Sequence, residues 1–275
     1  MRKLEGKVAL ITGSGRGIGR ALALKLAADG ASLVISDLDE APAEATAKEI
    51  RDGGGKAVTC VGNVAAPDFG DRFIKTGLDA FGGLDIIVNN AGYTLDSVIQ
   101  KMTDEQFQTM LDVHLIAPFR ILRAAAEPIR LFAKKEAAEG KEVFRKVVNI
   151  SSMSGTNGNA GQVNYSSAKA ALVGMTKTMS KEWGRYKVNV NCVAFGFIDT
   201  RLTKPFDDPD SKIVIEGKEV QAGVPGQTRA ALSMVVPVGR AGTPEEAAGG
   251  IYLFCIPESN YVSGQVLLVG GGIST

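Results

Sequence analysis

Short apolar runs alternate with amphipathic, helix-forming stretches along most of this chain. The apolar runs predict buried strands near residues 8–11, 32–36, 56–61, 84–89, 147–151, 187–193 and 265–269. The stretches between them predict helices over residues 20–28, 41–53, 68–81 and 103–126, around 165–172, and from 243 onward. Because buried strands that alternate with helices pair in parallel, the pattern predicts a Rossmann-type, doubly wound α/β fold. We expect a single parallel sheet of about seven strands with helices on both faces.

Two segments interrupt this regular pattern. Residues 203–240 are richer in Pro, Gly and charge, with a helical pattern around 211–222, and we expect a mobile substrate lid there. Residues 131–146 mix charges of both signs and are expected to be a solvated helix extension and turn. The chain has no internal repeat, low-complexity tract or linker, so residues 1–275 are predicted to form a single domain.

The composition excludes several classes of function. With 45% hydrophobic residues, 22% charged residues and a net charge of +1, nothing indicates binding to nucleic acid or to an anionic membrane. Three dispersed cysteines and one histidine give no metal-ligand spacing, so we expect no metal site and reduced, buried thiols. The sequence shows neither a signal peptide nor a long apolar run, and we therefore expect a cytoplasmic protein outside the membrane.

A glycine cluster, Thr12–Gly19, directly follows the first predicted strand and opens the first predicted helix. Glycines at such a turn let the backbone approach a pyrophosphate, and the free N–H groups of a helix N-terminus favour the anion. Glycine clusters also occur in plain turns, but the strand before this one and the helix after it favour a dinucleotide-binding loop.

Asp37 ends the second predicted strand, where a carboxylate accepts hydrogen bonds from ribose hydroxyls and repels a 2′-phosphate. This position favours NAD(H). Arg16, in the glycine cluster, could instead meet such a phosphate, so NADP(H) remains possible. The simpler alternative is that Asp37 is a loop or helix-capping carboxylate.

Tyr165 and Lys169 lie one helical turn apart on a segment without Gly or Pro, and Ser152 follows the fifth predicted strand. A nearby ammonium lowers the pKa of a phenol from about 10 towards neutrality, which suits acid–base catalysis. Ser152 could hold a substrate oxygen. The alternative is a solvated lysine beside a half-buried tyrosine. His114, within the fourth predicted helix, is by default a hydrogen-bonded helix residue.

Together these motifs resemble the short-chain dehydrogenase/reductase family over nearly the whole chain, and most closely its 3-oxoacyl-thioester (acyl-carrier-protein) reductase branch. The glycine loop, the Asn89–Gly92 motif and the set of Ser152, Tyr165 and Lys169 carry the resemblance. It implies an enzyme that acts on CH–OH groups and passes hydride between a nicotinamide cofactor and a ketone or secondary alcohol. Reduction of a 3-oxoacyl thioester is the expected reaction. A dehydrogenase of sugar alcohols, steroids or other small alcohols, and a non-catalytic nucleotide-binding scaffold, are the alternatives.

The resemblance also implies roles for individual residues. Tyr165 would give the proton in reduction, Lys169 would lower its pKa and bind the nicotinamide ribose, and Ser152 would polarise the carbonyl. The implied cofactor-binding residues are Gly13, Ser14, Arg16, Gly17, Ile18, Gly19, Asp37, Asn63, Val64, Asn90, Ala91, Gly92, Tyr165, Lys169, Ile198 and Thr200. The implied partners are a small carbonyl or alcohol substrate, including one attached to coenzyme A or an acyl carrier protein. A homotetramer is also implied, usually formed by the helices that follow strands four and five.

Three residues depart from the family pattern. His114 stands where the family has a catalytic Asn that anchors a water in the proton path, so the relay is expected to survive in altered form or to be slow. Asn63 replaces an adenine-side Asp, and Phe195 replaces a proline near the nicotinamide.

Overall fold

A seven-stranded parallel sheet forms the centre of the molecule in the strand order β3-β2-β1-β4-β5-β6-β9. The structure, a computed structural model, describes residues 2–205, 212–215, 218–221, 223 and 226–273. The strands are β1 Val8–Ile11, β2 Ser32–Ile35, β3 Lys56–Thr59, β4 Ile86–Asn89, β5 Arg145–Ser152, β6 Val188–Phe195, β7 Lys212–Ile215, β8 Lys218–Gln221 and β9 Val266–Val269. The doubly wound parallel fold predicted from the sequence is confirmed.

Helices connect successive strands and cover both faces of the sheet. They are α1 Gly17–Ala28, α2 Glu40–Asp52, α3 Phe69–Phe81, α4 Asp104–Leu111, α5 Ala117–Ala138, α6 Met153–Asn157, α7 Val163–Trp183, α8 Gly226–Val235 and α9 Pro244–Tyr252. Short 3₁₀ turns occur at Ile99–Lys101, Gly184–Tyr186, Arg201–Thr203 and Pro257–Ser259. The predicted start of α9 is confirmed, because Thr243 caps it and Pro244 occupies its first turn.

Strand β1 shows how the sheet separates two hydrophobic cores. All four of its side chains are buried, and alternate residues point to opposite faces. Ala9 and Ile11 pack with α1, α2 and α9, whereas Val8 and Leu10 pack with α3 and α5. Burial on both faces explains why the sequences of the strands are nearly continuous apolar runs.

The strand order reverses between β1 and β4, which lie side by side although β2 and β3 come between them in sequence. In sheets of this type the connections leave opposite faces at the reversal, and a crevice opens beyond the carboxyl ends of the strands. The glycine cluster after β1 and the Asn89–Gly92 motif after β4 flank this crevice.

The helix predicted over residues 103–126 is longer and less regular than expected. It is α4, a π-helical turn at Asp112–Ile116, and then α5, which continues to Ala138. A π turn inserts an extra residue into the helical repeat, and such turns often occur at functional sites. His114 lies within this turn.

The expected helical middle around residues 211–222 is wrong. The described residues there form the antiparallel pair of β7 and β8. The β-branched residues Ile213, Val214, Ile215 and Val220 favour strands, and this local preference outweighed the helical pattern. Residues 206–211, 216–217, 222 and 224–225 of the expected lid lie outside the described part of the chain.

The charge-mixed segment 131–146 is tied to the sheet at one point. The guanidinium of Arg145, at the start of β5, binds the Glu136 carboxylate through two hydrogen bonds of 2.8 and 2.6 Å and donates to the Leu84 carbonyl at 3.0 Å. The Arg145 side chain is only 5% exposed. The expected helix extension and turn are present, and a buried ion pair holds the extension in place.

Two kinds of feature are absent from the described residues. No helix in those ranges is long and apolar enough to cross a membrane. The same part of the chain contains no group of three or more His, Cys, Asp or Glu residues that could hold a metal ion.

Candidate active site

The carboxyl ends of the central strands open into a cavity of about 670 Å³. Of the site residues named from the sequence, all but Ser14 line it. They are Gly13, Arg16, Gly17, Ile18, Gly19, Asp37, Asn63, Val64, Asn90, Ala91, Gly92, His114, Ser152, Tyr165, Lys169, Ile198 and Thr200.

The glycine turn has a backbone that only glycine accepts readily. Gly13 and Gly17 have positive φ angles of 63° and 55°, in the left-handed region. A Cβ on Gly19 would lie 2.1 Å from the Gly13 carbonyl oxygen, so a side chain there would push α1 away from the turn. Helix α1 therefore begins directly at the cavity, with its unpaired N–H groups at that end. These features fit the pyrophosphate of a dinucleotide.

The turn after β4 is fastened to the glycine turn by hydrogen bonds. The Asn90 side chain donates from Nδ2 to the carbonyl oxygens of Thr12 and Gly13, both at 2.9 Å. The backbone N–H groups of Asn90 and Ala91 donate to Oγ1 of Thr12, both at 3.0 Å. The side-chain N–H groups of Asn90, an implied cofactor-binding residue, thus hydrogen-bond to the glycine turn.

Ser14 does not face the cavity. Its side chain is fully buried, donates to the Ile11 carbonyl at 2.8 Å and accepts from the Ser36 N–H at 3.0 Å. This side chain therefore joins β1 to β2, and the cofactor contact expected of Ser14 stays a prediction. The periodicity of the sequence gave no signal for this inward orientation.

Two carboxylates stand at the end of β2. Asp37 Oδ2 accepts from the Gly15 N–H at 3.2 Å, and Oδ1 accepts from the Asp39 N–H at 3.3 Å, so this carboxylate holds the loop and also lines the cavity. The Arg16 guanidinium donates to Asp39 at 2.7 Å. The basic residue that could have met a 2′-phosphate is thus paired with an acid.

Asn63 and Val64 follow β3 on the same side of the cavity. Oδ1 of Asn63 accepts from the Ala65 N–H at 2.9 Å, which forms a local side-chain turn that places Val64 on the wall. After β6, Ile198 forms a β-bridge with Gly242, and the Thr200 N–H donates to the Thr203 hydroxyl at 3.0 Å.

Ser152 ends β5 and caps the short helix α6. Its Oγ accepts from the Ser154 N–H at 3.1 Å, and its side chain hydrogen-bonds to the Tyr165 phenol. Tyr165 and Lys169 share one face of α7, and Nζ of Lys169 lies 5.5 Å from the centroid of the Tyr165 ring. The structure therefore brings together the three residues that the sequence singled out.

Lys169 is tied to the strand beneath it. Its Nζ donates to the Ile150 carbonyl at 2.6 Å, and its own carbonyl accepts from the Ser151 hydroxyl at 2.8 Å. Gly155 makes the close packing possible, because a Cβ there would come within 2.7 Å of Lys169. Helix α7 is consequently fixed against β5.

The expected lowering of the pKa of Tyr165 is wrong in this structure. Burial raises the pKa of the phenol to about 12; the hydrogen bond with Ser152 opposes this rise and the charge of Asp96 adds to it. Burial also lowers the pKa of Lys169 to about 8. The helical spacing indicated the nearby cation correctly, but the loss of water around each group is the largest cause of its pKa shift.

His114 packs directly against the phenol. Its ring is 2% exposed, and Nε2 donates to the Tyr93 carbonyl at 2.7 Å, which assigns the proton to Nε2. Burial and the charge of Lys169 keep its pKa well below 6.5, so the ring is neutral. Nδ1 is buried without a hydrogen-bond partner. The ring also fills the space beside Gly92, where a Cβ would lie 2.2 Å from Cε1.

The sequence reasoning missed a group of polar side chains on the cavity wall near Ser152. They are Asp96, Ser154, Asn159 and Gln162. These residues lie in loops or in the first turn of α6, where no periodic pattern marks them. The Gly158 and Gly161 positions, which flank two of them, were the only local signal of an ordered turn.

Comparisons with known proteins agree with this geometry. The family model described as short chain dehydrogenase matches residues 7–211, so the chain belongs to that family. It is an oxidoreductase that uses a nicotinamide cofactor and acts on CH–OH or ketone groups.

Several relatives match over nearly their full length. The chain is 37% identical to the 3-oxoacyl-(acyl-carrier-protein) reductase of Vibrio cholerae, over 98% of each protein. It is 37% identical to the protein of that name from Synechocystis, over 99% of each. For the Thermotoga maritima relative the identity is 34%, over 98% of this chain and 99% of the relative.

Proposed function

We propose that this protein is an NAD(H)-dependent reductase of 3-oxoacyl thioesters, which it converts to the 3-hydroxyacyl form. The observation that carries the proposal is the convergence of Ser152, Tyr165 and Lys169 on the wall of a cavity that the glycine turn also lines. The names of the relatives support the choice of substrate.

The cofactor is assigned to the wall between the glycine turn and Tyr165. A bound nicotinamide dinucleotide supplies the hydride, and the protein sets its position. The start of α1 would hold the pyrophosphate, Asp37 the adenosine ribose, and Asn63 and Val64 the adenine. Lys169 would reach the nicotinamide ribose, and Ile198 and Thr200 would lie near the carboxamide.

Tyr165 is assigned as the proton donor in reduction. With a pKa of about 12, the phenol holds its proton at neutral pH and is ready to give it to the carbonyl oxygen. As the proton leaves, negative charge develops on the phenol oxygen. Lys169, whose pKa of about 8 leaves it mostly charged at pH 7, would stabilise that charge.

Ser152 is assigned as the hydrogen-bond donor to the substrate carbonyl. Its oxygen already accepts a hydrogen bond from the Ser154 N–H, so its hydroxyl proton remains available to be donated. In the structure this side chain bonds to Tyr165, and a carbonyl oxygen bound between the two residues would accept from both. Two donors at one oxygen stabilise the charge that hydride addition places there.

NADH is the proposed form of the cofactor. Asp37 stands where a 2′-phosphate would be repelled, and Arg16 is engaged with Asp39. Arg16 would have to leave Asp39 before it could serve NADPH. The ion pair is itself exposed, so the preference rests mainly on Asp37.

The thioester is proposed to enter past the segment after β6. Leu202, Thr203, Lys204 and Gly223 line the cavity, which supports a substrate lid within residues 203–240. The acyl group would be carried by coenzyme A or an acyl carrier protein.

A homotetramer is proposed for the assembly. Large apolar side chains are exposed on α5 and at the end of α9, including Phe119 at 46%, Leu131 at 52% and Leu253 at 53%. Covering such residues stabilises association. Light scattering coupled to size exclusion measures the assembly directly.

The experiment follows the absorbance of NADH and NADPH with acetoacetyl thioesters and with a panel of other ketones. The proposal predicts oxidation of NADH by the thioesters and much slower reaction with NADPH. Turnover of sugar-derived or steroid ketones instead would establish a different dehydrogenase. Binding of NADH without oxidation by any carbonyl compound would establish a non-catalytic nucleotide-binding protein.

A further inference from the structure

A continuous chain of hydrogen bonds joins Asp96 to Ser152 along the cavity wall. Oδ2 of Asp96 accepts from Nε2 of Gln162 at 2.8 Å, and Oε1 of Gln162 accepts from the Ser154 hydroxyl at 2.9 Å. The Ser154 N–H then donates to Oγ of Ser152 at 3.1 Å. These residues come from the loop after β4, the loop before α7 and the start of α6, so the chain joins three separate segments.

Asp96 determines which way the Gln162 amide points. An ionised carboxylate can only accept hydrogen bonds, so the amide must turn its NH₂ group to Asp96. Its oxygen is then directed to Ser154 and to Nδ2 of Asn159, which donates at 3.0 Å. Without the carboxylate, the opposite orientation of the amide would no longer be excluded, and the Ser154 hydroxyl would lose its fixed acceptor.

The loop that carries Asp96 is itself anchored on both sides of that residue. The Ser97 N–H donates to the Gly161 carbonyl at 2.8 Å. Nδ2 of the fully buried Asn164 donates to the Leu95 carbonyl at 2.9 Å. The backbone on both sides of Asp96 is therefore held in place. A residue that orients another side chain needs such support.

The last hydrogen bond of this chain reaches Oγ of Ser152, the oxygen whose hydroxyl proton is proposed to bind the substrate carbonyl. The Ser154 N–H occupies a lone pair of the Ser152 oxygen and leaves the hydroxyl proton to be donated. If Ser154 shifts, Ser152 can accept from another donor or rotate, and its proton is no longer directed at the substrate. A small displacement of such a donor costs much of its effect.

We propose that Asp96 and Gln162 are positioning residues that hold the Ser154 turn and thereby direct the hydroxyl of Ser152 at the substrate carbonyl. In this role they act on the substrate carbonyl through Ser152, in addition to the effect of the Asp96 charge on the pKa of Tyr165. This inference rests on the proposed role of Ser152 as a hydrogen-bond donor.

The first measurement compares Asp96→Ala with Asp96→Asn by single-turnover oxidation of NADH with an acetoacetyl thioester. The alanine variant is expected to react about tenfold more slowly, since the Gln162 amide loses the acceptor that orients it. The asparagine variant keeps an oxygen that accepts from Gln162 and is expected to recover most of the rate. NADH affinity, measured by fluorescence, should stay unchanged in both. Asp104→Asn, an exposed carboxylate at the start of α4, serves as the control and should match the parent.

The second measurement is a double-mutant cycle with Ser152→Ala. If Asp96 acts through Ser152, adding Asp96→Ala to the Ser152→Ala variant should slow the reaction by less than about twofold. Should Asp96→Ala not fold, Gln162→Ala enters the same cycle with the same expectation.

The outcomes separate this inference from the proposed function. The full tenfold loss from Asp96→Ala in the absence of the Ser152 hydroxyl would overturn the positioning role and leave the proposed function intact. Parental activity of Ser152→Ala alone would overturn the role of Ser152, and the positioning role with it. No rate difference between Asp96→Ala and Asp96→Asn would show that the hydrogen bond to Gln162 is not what matters, which also overturns the inference.

Discussion

The imidazole of His114 stands edge-on to the phenol of Tyr165, with ring centroids 5.0 Å apart and planes at 88°. This geometry is favourable for two aromatic rings, because the positive edge of one meets the negative face of the other. Since the imidazole is also anchored to the Tyr93 carbonyl, it supports the phenol from one side. A neutral ring in this position can steer the phenol without exchanging a proton with it.

His114→Asn is predicted to keep or raise activity. An asparagine side chain can also donate to the Tyr93 carbonyl, and the family resemblance places an asparagine at this position. The rate of NADH oxidation by an acetoacetyl thioester checks this prediction. A collapse of activity would mean that the imidazole has a role of its own.

The single histidine should also make stability depend on pH. The pKa of His114 lies well below 6.5 in the folded protein, whereas in the unfolded chain it is about 6.5. Below pH 6.5, His114 therefore binds a proton in the unfolded state but stays neutral in the folded state. The free energy of unfolding consequently falls as pH falls. The slope approaches about 1.4 kcal/mol per pH unit. Urea unfolding at pH 7.5, 6.5 and 5.5 measures it.

His114→Asn is the control for that titration. The variant lacks the group, so its free energy of unfolding should fall less between pH 6.5 and 5.5 than that of the parent. Identical slopes in both proteins would show that the imidazole is not held neutral.

Asp37→Ala is predicted to erase or reverse the preference for NADH. The substitution removes the carboxylate that faces the adenosine ribose and the repulsion of a 2′-phosphate. The measurement is the ratio of kcat/KM for NADH to that for NADPH, with Asp52→Asn, an exposed carboxylate at the end of α2, as the control. Equal kinetics with both nucleotides in the parent protein would contradict the weight placed on Asp37.

The ultraviolet titration of Tyr165 should show a protonated phenol far above neutrality. Burial raises its pKa to about 12, so the absorbance difference between the parent and Tyr165→Phe should carry no phenolate signal up to pH 10 in the protein without ligands. In urea the same difference should appear near pH 10. A phenolate signal near pH 7 would show that the Lys169 ammonium lowers the pKa of Tyr165 by more than burial raises it.

The buried pair of Arg145 and Glu136 is predicted to stabilise the fold. Arg145→Ala leaves the Glu136 carboxylate partly buried without its partner, which typically costs about 3–5 kcal/mol. Arg130→Ala, which breaks the exposed pair with Glu127, should leave the urea midpoint unchanged. If the two variants are equally stable, the ion pair does not hold the segment 131–146.

Local patterns were enough to predict most of the fold. The apolar run of β1 and the glycines after it need only neighbouring residues to be interpreted, so the strand, the turn and the start of α1 could be placed from the sequence. The same holds for Tyr165 and Lys169, because a spacing of one helical turn fixes their common face.

The rest depends on residues that meet only in three dimensions. The inward orientation of Ser14 depends on Ser36, and the link between Asp96 and Gln162 joins two distant loops. The pKa of Tyr165 follows from how much water the fold removes, which the spacing of charges does not reveal. The helical pattern around residues 211–222 failed because strand preference was strong in the same few residues.

The central claim is that the Tyr165 phenol transfers the proton that accompanies hydride transfer. Tyr165→Phe removes only the hydroxyl, so single-turnover oxidation of NADH by an acetoacetyl thioester should slow by about 10²–10⁴-fold. NADH affinity, measured on the same sample, should change by less than about twofold, because the dinucleotide is held mainly by other residues. A phenylalanine variant that oxidises NADH at the parent rate would contradict the account.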